Sequence, residues 1–278
     1  LDASQKLKGI IVWGVGYDHI DVEAASKRGI YVTNTRGSNA ESVAEQTFSF
    51  ILALSRNILK ADDFVRGGHW INLEEAALPP HLIGQDLFEK TLGIIGLGNI
   101  GRRVARIAHG FNMRIISYDP YIPKDVAEKM GVQLHPLNQL LEEADYVTIH
   151  TALTRETQGL IGYDELSLMK PSAFIVNTSR GAVIKQEALV KALNLGKIAG
   201  AALDVFDTEP IPMNDPLLKL NNVMVSPHIA GNSREALEET SLMVSMEVSR
   251  ILKGKLPLNL VNRRELEKFG FLSDRPSI

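Results

Sequence analysis

The sequence predicts an α/β protein built on a doubly wound parallel sheet, and three observations carry that prediction. Short runs rich in Val, Ile and Leu recur along the chain, and they are apolar at consecutive rather than alternate positions, as strands buried on both faces are. Between most of them lie stretches with apolar residues at helical spacing, such as "EALVKALNLGK" at 187–197. The two patterns alternate continuously from about residue 91 to residue 228, the order that yields a parallel sheet with helices on both faces.

Taken in order, strands are expected over 9–13 and 30–33. A long helix should follow, opening on the capping-box pattern Ser38-x-x-Glu41 and stopping at Gly67-Gly68. Strands are then expected over 91–96, 113–118, 145–150, 173–178, 199–205 and 222–226, and a last long helix over about 233–253, ending near Gly254. The two long helices suit connectors between two domains, with the first built from 1–40 and 235–278 and the second from 41–234.

With 278 residues the chain is long enough for one large domain or two ordinary ones. Hydrophobic residues make up 45% and charged residues 23%, an ordinary globular balance. A net charge of −3 gives no general attraction to nucleic acid or to an anionic membrane. No apolar run approaches the roughly 20 residues that span a bilayer. Cysteine is absent, which excludes disulfide and thiolate chemistry and is compatible with a cytoplasmic setting. The chain opens on Leu1 and enters a strand pattern almost at once, so further residues are expected upstream.

The strongest local signal is "KTLGIIGLGNIGRRVARIA", in which Gly96-Leu97-Gly98-Asn99-Ile100-Gly101 follows an apolar strand and opens an apolar-periodic helix. That context separates a dinucleotide fingerprint from a chance cluster of glycines. Gly96 permits the turn, Gly98 lets backbone approach a pyrophosphate, and Gly101 lets helix pack on strand. The helix N-terminus offers free N–H groups to phosphate. Asp119, at the end of the next strand, stands where an acid binds ribose hydroxyls, and it favours NAD over NADP because a carboxylate repels a 2′-phosphate.

Three further strands end in polar residues. Arg180 follows the 173–178 strand, Asp204 ends "AGAALDVF" with Glu209 close behind, and His228 ends "NNVMVSPH". Parallel α/β sheets bind ligands beyond the carboxyl ends of their strands, so these groups should share a rim with the glycine loop. The set suits a 2-hydroxy or 2-keto acid. Arg180 can grip a carboxylate and polarise the carbonyl, His228 can take or give the hydroxyl proton, and Glu209 can hold the second imidazole nitrogen. Gly181 is expected to let the backbone turn close to the cofactor.

The motifs "GVGYDHIDVEAASKRGIYVTNT", "NAESVAEQT", "KTLGIIGLGNIG", "LMKPSAFIVNTSRGAVI", "AALDVFDTEP" and "SPHIAGNS" together resemble the D-isomer-specific 2-hydroxyacid dehydrogenase family, over about residues 8–262. The resemblance implies a Rossmann cofactor domain and a smaller, discontinuous, flavodoxin-like α/β substrate domain, with NAD as cofactor. It places the family's Arg–Glu–His set on Arg180, Glu209 and His228. It further implies that Asp204 contacts the nicotinamide carboxamide and that N–H groups near Val15 and Gly16 bind the substrate carboxylate. Asn99, Ile100, His150, Thr178 and Gly231 join the expected cofactor-binding positions. The "NAESVAE" and "SPHIAGNS" patterns look like the phosphoglycerate dehydrogenase and glyoxylate/hydroxypyruvate reductase branches. A homodimer through the region around 41–66 and the segment after it is implied, as is an additional αβ portion upstream. No metal site is expected. An NAD-sensing binding protein, like the corepressors that resemble this family, is the alternative reading. Two positions depart from the family pattern. Glu89 stands where glycine is frequent before "KTLG", with only a loop effect expected. Arg36 in "NTRGSN" stands where proline is common, as an exposed loop residue or as a reader of a phosphorylated or otherwise acidic substrate.

Overall fold

A computed structural model describes Leu1 and residues 3–71 and 79–272. The chain divides into two compact units, one of residues 1–42 with 231–278 and one of residues 43–230. Residues 273–278, at the end of the expected first domain, lie outside the described residues, as do residues 72–78, part of the segment expected to follow the helix into a dimer contact.

The first unit opens with β1 (Gly9–Ile11), α1 (Val22–Lys27) and β2 (Tyr31–Thr33). The strands pair in parallel with Ile10 opposite Val32. Asp21 caps α1 by accepting from the Ala24 N–H at 2.9 Å, which satisfies one of the orphan donors of the first turn. Ala25, Ile30 and Val32 form the core of this unit, packed by Ile10, Ile20 and Val261.

α2 (Ala40–Ser55) and α3 (Ile58–Arg66) replace the single helix expected from Ser38 to Gly67-Gly68. The break is local chemistry. Asn57 adopts φ 52°, which ends the helical ladder, and the Ser55 carbonyl accepts from Gln85 N–H at 2.7 Å instead. Gly84 is needed there, since a Cβ would stand 2.5 Å from the Ser55 oxygen. Ser38, read as the opening of a capping box, lies two residues before α2 begins. Its hydroxyl donates to the Thr35 carbonyl at 2.9 Å and accepts from Thr240 at 2.8 Å.

The second unit continues through β3 (Thr91–Ile95), α4 (Asn99–Gly110), β4 (Arg114–Tyr118), α5 (Lys124–Lys129) and β5 (Gln133–Leu134). It goes on through α6 (Leu137–Glu143), β6 (Tyr146–Ile149), α7 (Tyr163–Leu168) and β7 (Phe174–Asn177). α8 (Gln186–Asn194), β8 (Gly200–Leu203) and β9 (Val223–Val225) complete it. Among the described residues seven strands form one parallel sheet in the order β5-β4-β3-β6-β7-β8-β9. β5 was not expected, because a two-residue strand of Gln and Leu has no apolar run to reveal it.

Neighbouring residues of one strand enter opposite cores. Val147, Ile175, Ala201 and Leu203 join one apolar cluster, while Tyr146, Val176 and Ala202 join the other. This double burial is why the strands read as continuous apolar runs. The strand order reverses between β3 and β6, so the crevice beyond their carboxyl ends is the topological switch point where such sheets take their ligands. Glu89, just before β3, holds φ 60°, the left-handed region that glycine enters without strain.

The chain then returns to the first unit with α9 (Arg234–Leu252), capped by the Ser233 hydroxyl on Ala236 N–H at 3.0 Å, and α10 (Arg263–Lys268). Two buried polar side chains tie this return. Asn262 accepts from Val32 N–H and donates to Ser26 and to the Ile30 carbonyl. Glu247 accepts from the backbone N–H groups of Leu258 and Asn259. Among the described residues no helix is long and apolar enough to cross a membrane, and no group of His, Asp and Glu could hold a metal ion.

Candidate active site

The glycine loop joins β3 to α4, and Gly96 and Gly101 have separate steric reasons. Gly96 adopts φ 94°, and a Cβ there would stand 2.9 Å from the His150 carbonyl oxygen. A Cβ on Gly101 would collide with the Gly96 carbonyl oxygen. Gly98 differs, for a Cβ there would meet nothing within 4 Å. The space it keeps clear is therefore not filled by the described residues, and it lies at the start of a twelve-residue helix whose first-turn N–H groups lack intrahelical acceptors and whose cap residue has no side chain. A negatively charged pyrophosphate fits such a cradle. Asn99 and Ile100 occupy this first turn.

Asp119, beyond β4, braces the loop. It accepts from Leu97 N–H at 2.8 Å and from Tyr121 N–H at 2.9 Å. Each carboxylate oxygen retains a further lone pair for a hydroxyl donor. His150, beyond β6, lies on the other side of the switch point, and its N–H donates to the Ile95 carbonyl at 2.8 Å. Both its ring nitrogens are shut from solvent, with no hydrogen-bond partner among the described residues. Burial pushes its imidazole down to about pKa 3, so the ring is neutral near pH 7.

Beyond β7 the turn is organised by Asn177, which sequence reasoning overlooked. Its carbonyl accepts from the N–H and hydroxyl of Ser179, and its amide donates to the Arg180 carbonyl at 2.8 Å. The Asn-x-Ser spacing in "VNTSRG" was the available signal, as an Asx-turn pattern. Arg180 emerges from this turn with Nη1 on the Ser179 carbonyl at 2.7 Å. Thr178 is buried against Thr47, with hydroxyl oxygens 3.1 Å apart. Gly181 has a different reason from the one expected. A Cβ there would run into the Phe206 carbonyl, so the close neighbour is this chain's own backbone. Glycine thereby seats the Arg180 turn against the segment leading to Glu209.

β8 and β9 deliver the remaining groups. Asp204 is fully buried and accepts from the Ser226 hydroxyl, Ile229 N–H at 2.9 Å and Ala230 N–H at 2.8 Å. The loop carrying His228 is thus folded around one carboxylate. Ser226 is a second residue the sequence did not flag. His228 itself adopts φ 52°, an uncommon backbone state for a residue with a side chain, and its N–H reaches the Asp204 carbonyl at 2.9 Å. Its Nδ1 lies 2.6 Å from Glu209 Oε2, while Glu209 Oε1 accepts from Phe206 N–H at 2.9 Å. Both side chains remain part-exposed, as groups that meet a ligand must.

The first unit has its own strand-end rim. Gly14, at φ 133°, exchanges hydrogen bonds with Thr35, and the Asn34 amide donates to the Val15 carbonyl at 2.8 Å. The N–H groups of Val15 and Gly16 have no acceptor among the described residues. Gly231 packs against the Asn39 side chain, whose amide end a Cβ would have to displace.

The family described as D-isomer specific 2-hydroxyacid dehydrogenase, NAD binding domain, matches residues 48–230. A glyoxylate reductase of Korarchaeum cryptofilum is 47% identical over 262 residues, covering 94% of this chain and 78% of that protein. A D-3-phosphoglycerate dehydrogenase of Methanocaldococcus jannaschii is 44% identical over 275 residues, 98% of this chain and 51% of that protein. Among solved structures, a D-lactate dehydrogenase of Aquifex aeolicus complexed with NAD and lactic acid has a TM-score of 0.84 at 33% identity, covering 92% of this chain and 80% of that one.

Proposed function

This chain belongs to the D-isomer-specific 2-hydroxyacid dehydrogenases, and from that premise we propose that Arg180, Glu209 and His228 are the residues through which it interconverts a small 2-hydroxy acid and its 2-keto acid. The protein is an NAD-dependent oxidoreductase, and when bound the nicotinamide supplies or accepts the hydride. The Gly96–Gly101 loop and the first turn of α4 hold the pyrophosphate, and Asp119 takes the ribose hydroxyls and disfavours a 2′-phosphate. His150, Thr178, Asp204 and Gly231 complete the cofactor set.

The observation that carries the mechanism is the 2.6 Å contact between His228 Nδ1 and Glu209 Oε2. An ionised carboxylate only accepts, so it fixes the proton on Nδ1 and leaves Nε2 to receive the proton of the substrate hydroxyl. The imidazolium so formed is stabilised by the same carboxylate, and in keto-acid reduction it returns the proton. Phe206 N–H holds the other Glu209 oxygen, which keeps the carboxylate oriented. Arg180 binds the substrate carboxylate and polarises the C2 oxygen. As the family resemblance implies, the N–H groups of Val15 and Gly16, which lack acceptors among the described residues, are further donors to the substrate carboxylate. Substrates of two or three carbons are favoured, glyoxylate, hydroxypyruvate or glycerate and 3-phosphoglycerate, in keeping with the names of the relatives. The protein acts as a homodimer through the exposed apolar face of α3.

Loss of NADH absorbance with a panel of 2-keto acids tests the reading. His228→Ala should lower kcat by about 100-fold or more, the usual scale of a general acid–base group, while NADH binding measured by fluorescence persists. Turnover equal to that of the parent chain would remove His228 from the mechanism.

A further inference from the structure

The rim of the first unit carries a charge that the mechanism does not use. We propose that Arg36 is a specificity-determining residue that reads a second anionic group on the substrate, a phosphate ester or a second carboxylate. The inference rests on the reading of Val15 and Gly16 as donors to the substrate carboxylate.

An exposed arginine alone would mean little. The place of this one is the argument. Arg36 lies three residues beyond the end of β2, on a loop laced to the 14–16 loop by three hydrogen bonds, from Gly14 N–H to the Thr35 hydroxyl, from Thr35 N–H to the Gly14 carbonyl and from the Asn34 amide to the Val15 carbonyl. The two loops therefore form one surface at the carboxyl ends of the paired strands β1 and β2. One side presents the N–H groups of Val15 and Gly16. The other presents the guanidinium of Arg36, which has no ion pair or hydrogen bond among the described residues, together with the N–H groups of Arg36 and Gly37, which also lack acceptors.

These two halves suit different parts of a ligand. The N–H pair carries no formal charge and can hold one carboxylate by hydrogen bonding. A second anion on the same molecule needs its own cation, and a guanidinium binds phosphate or carboxylate through two parallel N–H bonds. Its loop is short and tied down, with Ser38 N–H on the Thr35 carbonyl and Ala40 N–H on the Gly37 carbonyl, so the side chain starts from a fixed position. A 2-keto acid with an anionic group on C3 offers an anion to each half, whereas glyoxylate offers only one.

The test is a set of kcat/KM ratios with NADH as reductant. Hydroxypyruvate and its 3-phosphate ester differ only by the phosphate, and oxaloacetate carries a carboxylate at that end. The parent chain should prefer one of the two acids that carry a second anionic group to hydroxypyruvate, and which one identifies the anion. Arg36→Ala should lower that preference by about tenfold or more, the scale of a hydrogen-bonded charge pair, with the change in KM. Arg36→Lys should recover part of it, since it restores charge without the bidentate geometry. A preference equal in Arg36→Ala and the parent overturns the proposal, as does a parent chain that favours hydroxypyruvate over both the phosphate ester and oxaloacetate. The underlying reading fails separately, by an absence of NADH oxidation with every 2-keto acid.

Discussion

His150 departs furthest from ordinary side-chain chemistry, and its position explains why. Both ring nitrogens are enclosed beside the glycine loop, with no partner to stabilise an imidazolium. Its pKa falls from 6.5 to about 3 through burial. Between these values the unfolded chain binds a proton at this ring and the folded chain does not. Stability therefore rises with pH through that window and is lost as pH falls, by up to about 1.4 kcal/mol per pH unit from this group. His150→Gln should flatten the pH dependence of urea unfolding between pH 4 and 6.5, and identical slopes in the two proteins would count against the assignment. At this scale the sequence was an uneven guide. His228 and Glu209 are legible because the short stretches around them combine rare, chemically committed residues. Asn177 and Ser226 are not, because each acts by folding a loop around a neighbour whose position only the sheet determines.

Among the elements, the strand–glycine loop–helix unit was the most legible, since Gly96 and Gly101 answer steric demands of the fold and Gly98 keeps a space clear, at a spacing the sequence shows. The same steric reasons separate folding from ligand binding. Gly98 faces open space and has φ −78°, a value any residue adopts, whereas Gly101 lies against the Gly96 carbonyl. Gly98→Ala should keep its melting temperature within about 2 °C, below the shift that 1 kcal/mol gives a chain of this size, and lose NAD affinity by calorimetry. Gly101→Ala should lose affinity and melt lower, because overpacking of this kind costs about 1–3 kcal/mol. An unaltered NAD affinity in Gly98→Ala would remove the loop from the cofactor site. The α2–α3 break was not legible, because Asn57 lies within a helical pattern and the group that takes over the Ser55 carbonyl comes from residue 85. β5 escaped for a simpler reason, having too few residues to show any period.

For the whole molecule, continuous apolar strands announced a sheet covered on both faces, and the two separate cores meet that demand. What the periodicity could not announce is which helices are left uncovered within one chain. α3 buries none of its residues. Ile58 and Val65, two helical turns apart on one face, are 49% and 53% exposed, and Leu59 is 54% exposed. Ile83, 66% exposed, adjoins this helix through the bond from the Asn57 amide to its carbonyl. Isolated apolar side chains at a surface need no explanation, but a helix that leaves Ile58, Leu59 and Val65 all about half exposed and buries no residue fully has the character of an interface. A second copy of the chain is the occupant that the family resemblance implies, and two such faces related by a twofold axis would cover each other. Sedimentation at micromolar concentration should give twice the mass of the chain. Ile58→Glu combined with Val65→Glu should shift that mass to the monomer while helical circular dichroism is retained, because neither side chain contributes to a core. A parent chain that sediments as a monomer, or a doubly substituted one that stays dimeric, would move the interface away from α3.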